Sequence, residues 1–244
     1  YKMPKLYGIY PQDKQQSLKF LNKINTYFIR NLKDNWHCYK VKTSDLDHAK
    51  CIESAVNSNA KFILFMGHGR SDCLFGSCTT EHDEFVSSDA KIEQNIEFYK
   101  NEDFINLKNI GKFNNKIFFS FSCNSNINSK NSIGRTAIES GVVSFVGFGD
   151  IPTDYLEKNE IPIKAISIYK GIITSIVKRC IFSSFENNYS VQGLTDLIKL
   201  ETTKKIQELI LSSNYRYKNK VIENLFLFKS EIIIFGDRMA KICA

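Results

Sequence analysis

Long apolar runs are missing from this chain of 244 residues. No stretch approaches the roughly 18 uninterrupted apolar residues of a membrane-spanning helix, so no membrane partner is expected. Cysteine pairs at CxxC spacing are absent too. Seven cysteines, an odd number, read as reduced thiols of the cytoplasm rather than as a disulfide framework. There is no GxxxxGK(S/T) or GxGxxG segment, so a nucleotide-driven engine has no phosphate loop to build on, and no cofactor is expected. The N-terminus carries no secretory leader pattern. It starts at Tyr1 rather than Met, which leaves room for a preceding segment such as a fused or bound sensor. Basic residues outnumber acidic ones, for a net charge of +7, but they are scattered and form no basic run. Nucleic-acid binding has only that net charge behind it, and direct contact with nucleic acid is not expected. Internal repeats, low-complexity linkers and a convincing domain boundary are all lacking, so residues 1–244 read as one domain.

What is present is an ordinary globular composition, 43% hydrophobic and 24% charged, enough for a sizeable core. Strand patterns are read at 5–10, 38–42, 61–66, 117–121, 141–148 and 231–235. Helical spacing is read at 15–32, from a Ser44 cap to about Asn57, and at 102–110, 134–140, 163–182 and 193–211. Residues 70–89, rich in Ser, Thr, Asp and Glu, read as a surface hairpin or loop. Strands alternating with helices predict an α/β fold. Its sheet should be mostly parallel and doubly wound, with helices on both faces.

Two strands end on reactive side chains. Lys61-Phe-Ile-Leu-Phe-Met-Gly-His68-Gly69 delivers a histidine followed by glycine, and Lys116-Ile-Phe-Phe-Ser-Phe-Ser-Cys123-Asn124-Ser125 delivers a cysteine. In open parallel sheets, sites form outside the carboxyl ends of strands. A Cys and a His brought together there are the minimum for thiolate catalysis, in which the base activates the sulfur. Gly69 lacks a Cβ, so its N–H can approach a substrate carbonyl closely. With the N–H of Cys123 it would form an oxyanion hole. Taken singly, each residue has an ordinary explanation. Buried cysteines are commonly inert, and a strand-end histidine is often just satisfied by hydrogen bonds.

In ordered combination these segments resemble the caspase-like cysteine peptidases, and within that clan the separase-related CHAT domains of bacteria. Phe65-Met-Gly-His68-Gly69 is similar to the histidine motif, and Phe118-Phe-Ser-Phe-Ser-Cys123-Asn-Ser125 to the cysteine motif. Asp103-Phe-Ile-Asn-Leu107 resembles the segment before the cysteine strand. Ala137-Ile-Glu-Ser-Gly141 with Val142–Phe148, and Ile232-Ile-Ile-Phe-Gly-Asp237, resemble the elements that follow it. The resemblance spans roughly residues 5–240. It implies a caspase–hemoglobinase fold and endopeptidase activity on protein partners, within a regulated bacterial response. His68 would be the base, Cys123 the nucleophile and Gly69 an oxyanion donor. The rival reading is a catalytically silent scaffold of the same fold. A weaker one is a nucleic-acid-binding α/β domain.

Specificity points to Gly149-Asp150-Ile-Pro-Thr-Asp154. In separase-like relatives an acidic residue after this strand meets a basic P1 side chain, the residue just before the scissile bond. Asp150, with Asp154, would then favour Arg or Lys. Equally, Asp150 can cap the next turn.

Other clusters carry less. Cys73, Cys78 and His82 sit at C-x4-C-x3-H spacing but have no clear fourth ligand. Asp72 or Asp83 would be a forced choice, so no metal is expected. His37 and His48 read as surface or boundary residues. Asn214–Lys220 interleaves Arg216, Lys218 and Lys220 with Tyr215 and Tyr217. That pattern can bind single strands, and a solvated loop explains it more simply.

Overall fold

The computed structural model describes residues 5–11, 18–77, 103–152, 162–212 and 217–243. In chain order the elements are β1 (Leu6–Pro11), α1 (Asn22–Leu32), β2 (Trp36–Val41), α2 (Asp45–Asn57), β3 (Phe62–Met66), β4 (Cys73–Phe75) and β5 (Asp103–Asn106). There follow β6 (Ile117–Phe121), α3 (Ile133–Glu139), β7 (Ser144–Gly147), α4 (Ile163–Glu186), α5 (Val191–Leu211), α6 (Lys218–Ser230) and β8 (Ile233–Gly236).

Six strands form one sheet in the order β2-β1-β3-β6-β7-β8. All pairings are parallel except that of β8, which runs antiparallel to β7. Alternation along the strands divides the core in two. Phe62, Leu64 and Met66 of β3, with Ile117, Phe119 and Phe121 of β6, pack on one face against α1, α4, α5 and α6. Ile63 and Phe65, with Phe118, face the other way onto α2, α3 and the β4–β5 ribbon. Helices therefore cover both faces of a mostly parallel sheet, as the α/β pattern predicts. The central strands are apolar on both sides, as expected when neither face meets water.

Local chemistry sets several boundaries. Ser44 caps α2, its hydroxyl accepting from Asp47 N–H at 3.2 Å. Ser190 caps α5 in the same way, through Gly193 N–H at 3.1 Å. At the opposite end of β6 from Cys123, the buried Lys116 ammonium donates to the carbonyls of Ser58 at 2.9 Å and Ala60 at 2.8 Å. These bonds tie the turn before β3 to the start of β6. Burial, aided by Lys61, lowers the Lys116 pKa.

Three expectations need correction. Over the described residues 103–110 the chain is not an amphipathic helix. Asp103–Asn106 is β5, pairing antiparallel with β4 and setting Ile105 opposite Leu74, both fully buried. The cross-strand contact outweighs a short helical period, and Asn106 and Asn109 then take the backbone through a turn. Asn109 Oδ1 accepts from Asn106 N–H at 2.8 Å, and Asn109 Nδ2 donates to Phe104 O at 2.9 Å. Of the surface hairpin or loop expected at 70–89, residues 78–89 lie outside the described residues, and Cys73 and Leu74 are buried in the core. Finally, Lys218 and Lys220 begin helix α6 rather than sitting in a loop, because Val221, Leu225 and Phe228 repeat at helical spacing and are buried.

Candidate active site

β3 and β6 are parallel neighbours with Met66 opposite Phe121. The last rung is Gly67 N–H to Phe121 O at 3.4 Å. Two residues further along each strand come His68 and Cys123. Both follow the alternation toward the face carrying Met66 and Phe121. The structure accordingly brings them to one crevice, bounded by Leu18, Phe20, Leu21 and Ile151. Its free volume is about 10 Å³, room for one water molecule at most.

A serine network fixes the turn that carries Cys123. Ser120 and Ser122 hydroxyls lie 2.8 Å apart. Ser125 Oγ donates toward the carbonyls of Ser122 at 3.1 Å and Ser120 at 3.3 Å, and accepts from Phe148 N–H at 3.0 Å. Asn124 takes a left-handed conformation with φ 54° and donates its N–H to Gly149 O at 3.0 Å. Asparagine tolerates that geometry better than most side chains. The turn after β6 is thereby bolted to the end of β7. The three serines stand in the cysteine motif itself, but their mutual bonding could not be read from it.

Gly69 sits at a non-hydrogen-bonded bridge with Leu74. Arg70 N–H donates to Cys73 O at 2.9 Å, and Phe75 N–H to His68 O at 3.0 Å, one residue to each side. In such a pair the residue's own N–H turns away from its partner strand. Among the described residues Gly69 N–H makes no hydrogen bond. A Cβ on Gly69 would lie 2.9 Å from Ser122 Oγ and 3.1 Å from Leu74 Cδ2. Only glycine therefore lets the histidine loop press against the residue preceding Cys123.

The Cys123 thiol donates to Ile151 O at 3.3 Å. Asp150, half-buried, immediately precedes Ile151. Tyr169 of α4 is fully buried in the same apolar cluster as Ile151, and among the described residues its hydroxyl has no hydrogen-bond partner. Burial raises the Tyr169 pKa well above that of an ordinary tyrosine, and the nearby Cys123, Asp150 and Glu231 add to it. Tyr169 and Glu231 were not singled out by sequence reasoning. Their spacing from Cys123 along the chain offers no signal for finding them.

Of the remaining candidates, Asp154, Cys78, His82 and Asp83 lie outside the described residues, as do Asn214, Tyr215 and Arg216. Among the described residues no group of three His, Cys, Asp or Glu could hold a metal ion. Cys73 is buried beside Asp103, and burial first, then Asp103, pushes its thiol pKa well up. His48 is buried rather than a surface residue. Its Nε2 accepts from Ser77 N–H at 3.2 Å, its ring lies 4.9 Å from that of Phe104, and burial lowers its pKa. His37 is exposed and lies against Tyr7. Lys218 is engaged with the carbonyls of Ile210 and Ser212 at the end of α5, and Lys220 pairs with Glu223 at 3.2 Å. No helix of the described residues is long and apolar enough to cross a membrane.

Comparison with protein-family models, curated proteins and solved structures finds no match.

Proposed function

We propose that this chain is a cysteine endopeptidase of the caspase-like, CHAT type. It acts in the cytoplasm on a protein partner, under the control of a fused or bound regulator. One observation carries the reading. His68 and Cys123 share a crevice at adjoining ends of two central parallel strands, with the N–H of Gly69 turned away from its own ribbon.

In this mechanism His68 takes the thiol proton and Cys123 attacks the peptide carbonyl. The developing oxyanion receives hydrogen bonds from Gly69 and Cys123 N–H. His68 then gives its proton to the departing amine, leaving a thioester on Cys123. Water, deprotonated by His68, hydrolyses the thioester and restores the thiol. Asp150, beside the crevice, would meet a basic P1 side chain.

The narrow crevice and the thiol turned onto Ile151 O favour a latent resting state. Opening requires Ile151 or the Leu18–Leu21 segment to yield, which gives a partner or substrate a place to act. The same two features favour a second reading, a silent binding module. Cys123→Ala and His68→Ala should each abolish cleavage of a peptide pool without lowering the unfolding midpoint. Cleavage at the wild-type rate by Cys123→Ala would sink the dyad. No cleavage by wild type under any condition, with Cys123 no faster to alkylate than the other thiols, would leave the silent module standing.

A further inference from the structure

Cations that lie scattered along the sequence are gathered by the fold. α1 and α4 pack side by side on one face of the sheet. Three ring contacts fix their alignment. Lys170 Nζ lies 5.1 Å from the centre of the Phe20 ring, in the turn leading into α1. Lys178 Nζ lies 5.0 Å from that of Tyr27. Tyr27 also meets Phe182 edge-on, with ring centres 5.9 Å apart. The numbers rise together on both helices, so the two run parallel and a groove follows their seam.

Helical spacing supplies the banks of that groove. Lys23 and Arg30 stand four residues before and three after Tyr27, which puts them on its face of α1. Lys170 and Lys178 stand across from them on α4. No acidic residue occurs in α1, and α4 has none before its last residue, Glu186. Lys23 and Arg30 are exposed, Lys178 is half-exposed, and none of the three is in an ion pair among the described residues. Phe20, Tyr27 and Phe182 are half-buried between the banks and form an aromatic floor. Positive charge on both sides and ring faces beneath occur here without a neutralising carboxylate in either helix wall.

We propose that this groove binds a single strand of nucleic acid, its phosphates on the four cations and its bases against the aromatic floor. The proposal is independent of the peptidase reading. Three of the four cations are lysines, compact point charges suited to phosphate. A carboxylate-rich peptide is better met by the planar fork of arginine. The rings decide in the same direction. An aromatic face carries negative charge density, which repels carboxylates but attracts the ammonium groups that now cover it. On binding, each ammonium moves to a phosphate and a base takes the vacated ring face. Every base has such a face, so the groove accepts many sequences. A duplex keeps its bases stacked inside and reaches the cations alone.

The test is fluorescence anisotropy with a labelled single-stranded 15-mer, in DNA and RNA forms, against a duplex of equal length and an acidic glutamate peptide. The single strand should bind at least tenfold tighter than either competitor. Its log affinity should fall with log salt at about 0.7 per phosphate engaged, so four cations give a slope of about −3. Lys23→Gln with Lys178→Gln should lower affinity at least tenfold and flatten that slope by about 1.4. Lys50→Gln with Lys112→Gln removes the same charge from exposed positions on the other face of the sheet and should change neither. Tyr27→Leu should lose about fivefold or more with the salt slope unchanged, because it removes stacking and no charge. Equal losses in the two lysine pairs would reduce the binding to overall charge and overturn the groove. Duplex bound as tightly as single strand, or Tyr27→Leu without effect, would overturn the aromatic floor. Tighter binding of the glutamate peptide would make the partner an acidic protein and overturn the proposal.

Discussion

Replacing Gly69 by Ala tests the contact on which the proposed oxyanion geometry depends. The added methyl would meet Ser122 Oγ at 2.9 Å, Ser122 Cβ at 3.1 Å and Leu74 Cδ2 at 3.1 Å. Ser122 cannot yield freely, because its hydroxyl bonds Ser120 and its carbonyl accepts from Ser125. Overpacking of this kind costs about 1–3 kcal/mol of stability. Displacing an oxyanion donor costs about 10²–10³ in rate. Gly69→Ala should therefore lower urea-unfolding stability by about 1–3 kcal/mol. Its peptide cleavage should fall by at least about a hundredfold, with the fold retained. Gly171→Ala is the control. Gly171 is exposed in α4 with nothing within 4 Å of its Cβ direction. It should gain about 0.5–1 kcal/mol with no change in rate. Wild-type cleavage by Gly69→Ala would refute both the donor assignment and the account of the Gly69–Ser122 contact.

Alkylation should single out Cys123, since burial pushes the thiols of Cys38 and Cys180 up to about 12 and those of Cys51, Cys73 and Cys243 upward as well. With iodoacetamide near neutral pH, mass spectrometry should find Cys123 modified before these five, and earlier labelling of any of them would contradict the site. Cys73→Ser should leave the cleavage rate within a few-fold, and loss of activity with release of zinc would overturn that. Burial lowers the folded pKa of His48, so the unfolded chain binds the extra proton first as pH falls below about 6.5. Stability should accordingly drop from that pH down to the folded pKa, less steeply in His48→Gln; identical pH slopes would argue against it. Lys116→Met should destabilise by about 2–4 kcal/mol, because one buried and one part-buried carbonyl lose a charged donor at once, and denaturant unfolding with no loss would exclude that role.

Much of the candidate site could be read before the fold. Met66 and His68 have the same parity along one strand, Phe121 and Cys123 along another, so alternation alone sends each reactive residue to the same side as its apolar neighbour. Gly69 was legible because it follows His68 directly. The β5 segment was misread because Ile105 has no visible reason to be extended until Leu74 stands opposite it. Helix α6 was overlooked because Tyr217, Lys218 and Lys220 at its start suggested a solvated patch, while its buried residues pack against α4 and α5.

The amino-acid sequence by itself determined the α/β class, most strand and helix positions, and the two strand ends that carry His68 and Cys123, since these follow from short-range periodicity and capping. Only the tertiary structure decided that β3 and β6 are neighbours, so that the two residues share one crevice. It alone seated the Cys123 thiol on Ile151 O and closed the crevice with Leu18, Phe20 and Leu21. It also carried Glu231 to Gly149. Strand order and the reversal of β8 arise from contacts between residues tens to more than a hundred positions apart. Such contacts are selected by how the two apolar faces bury together, and no local pattern in the chain records that choice.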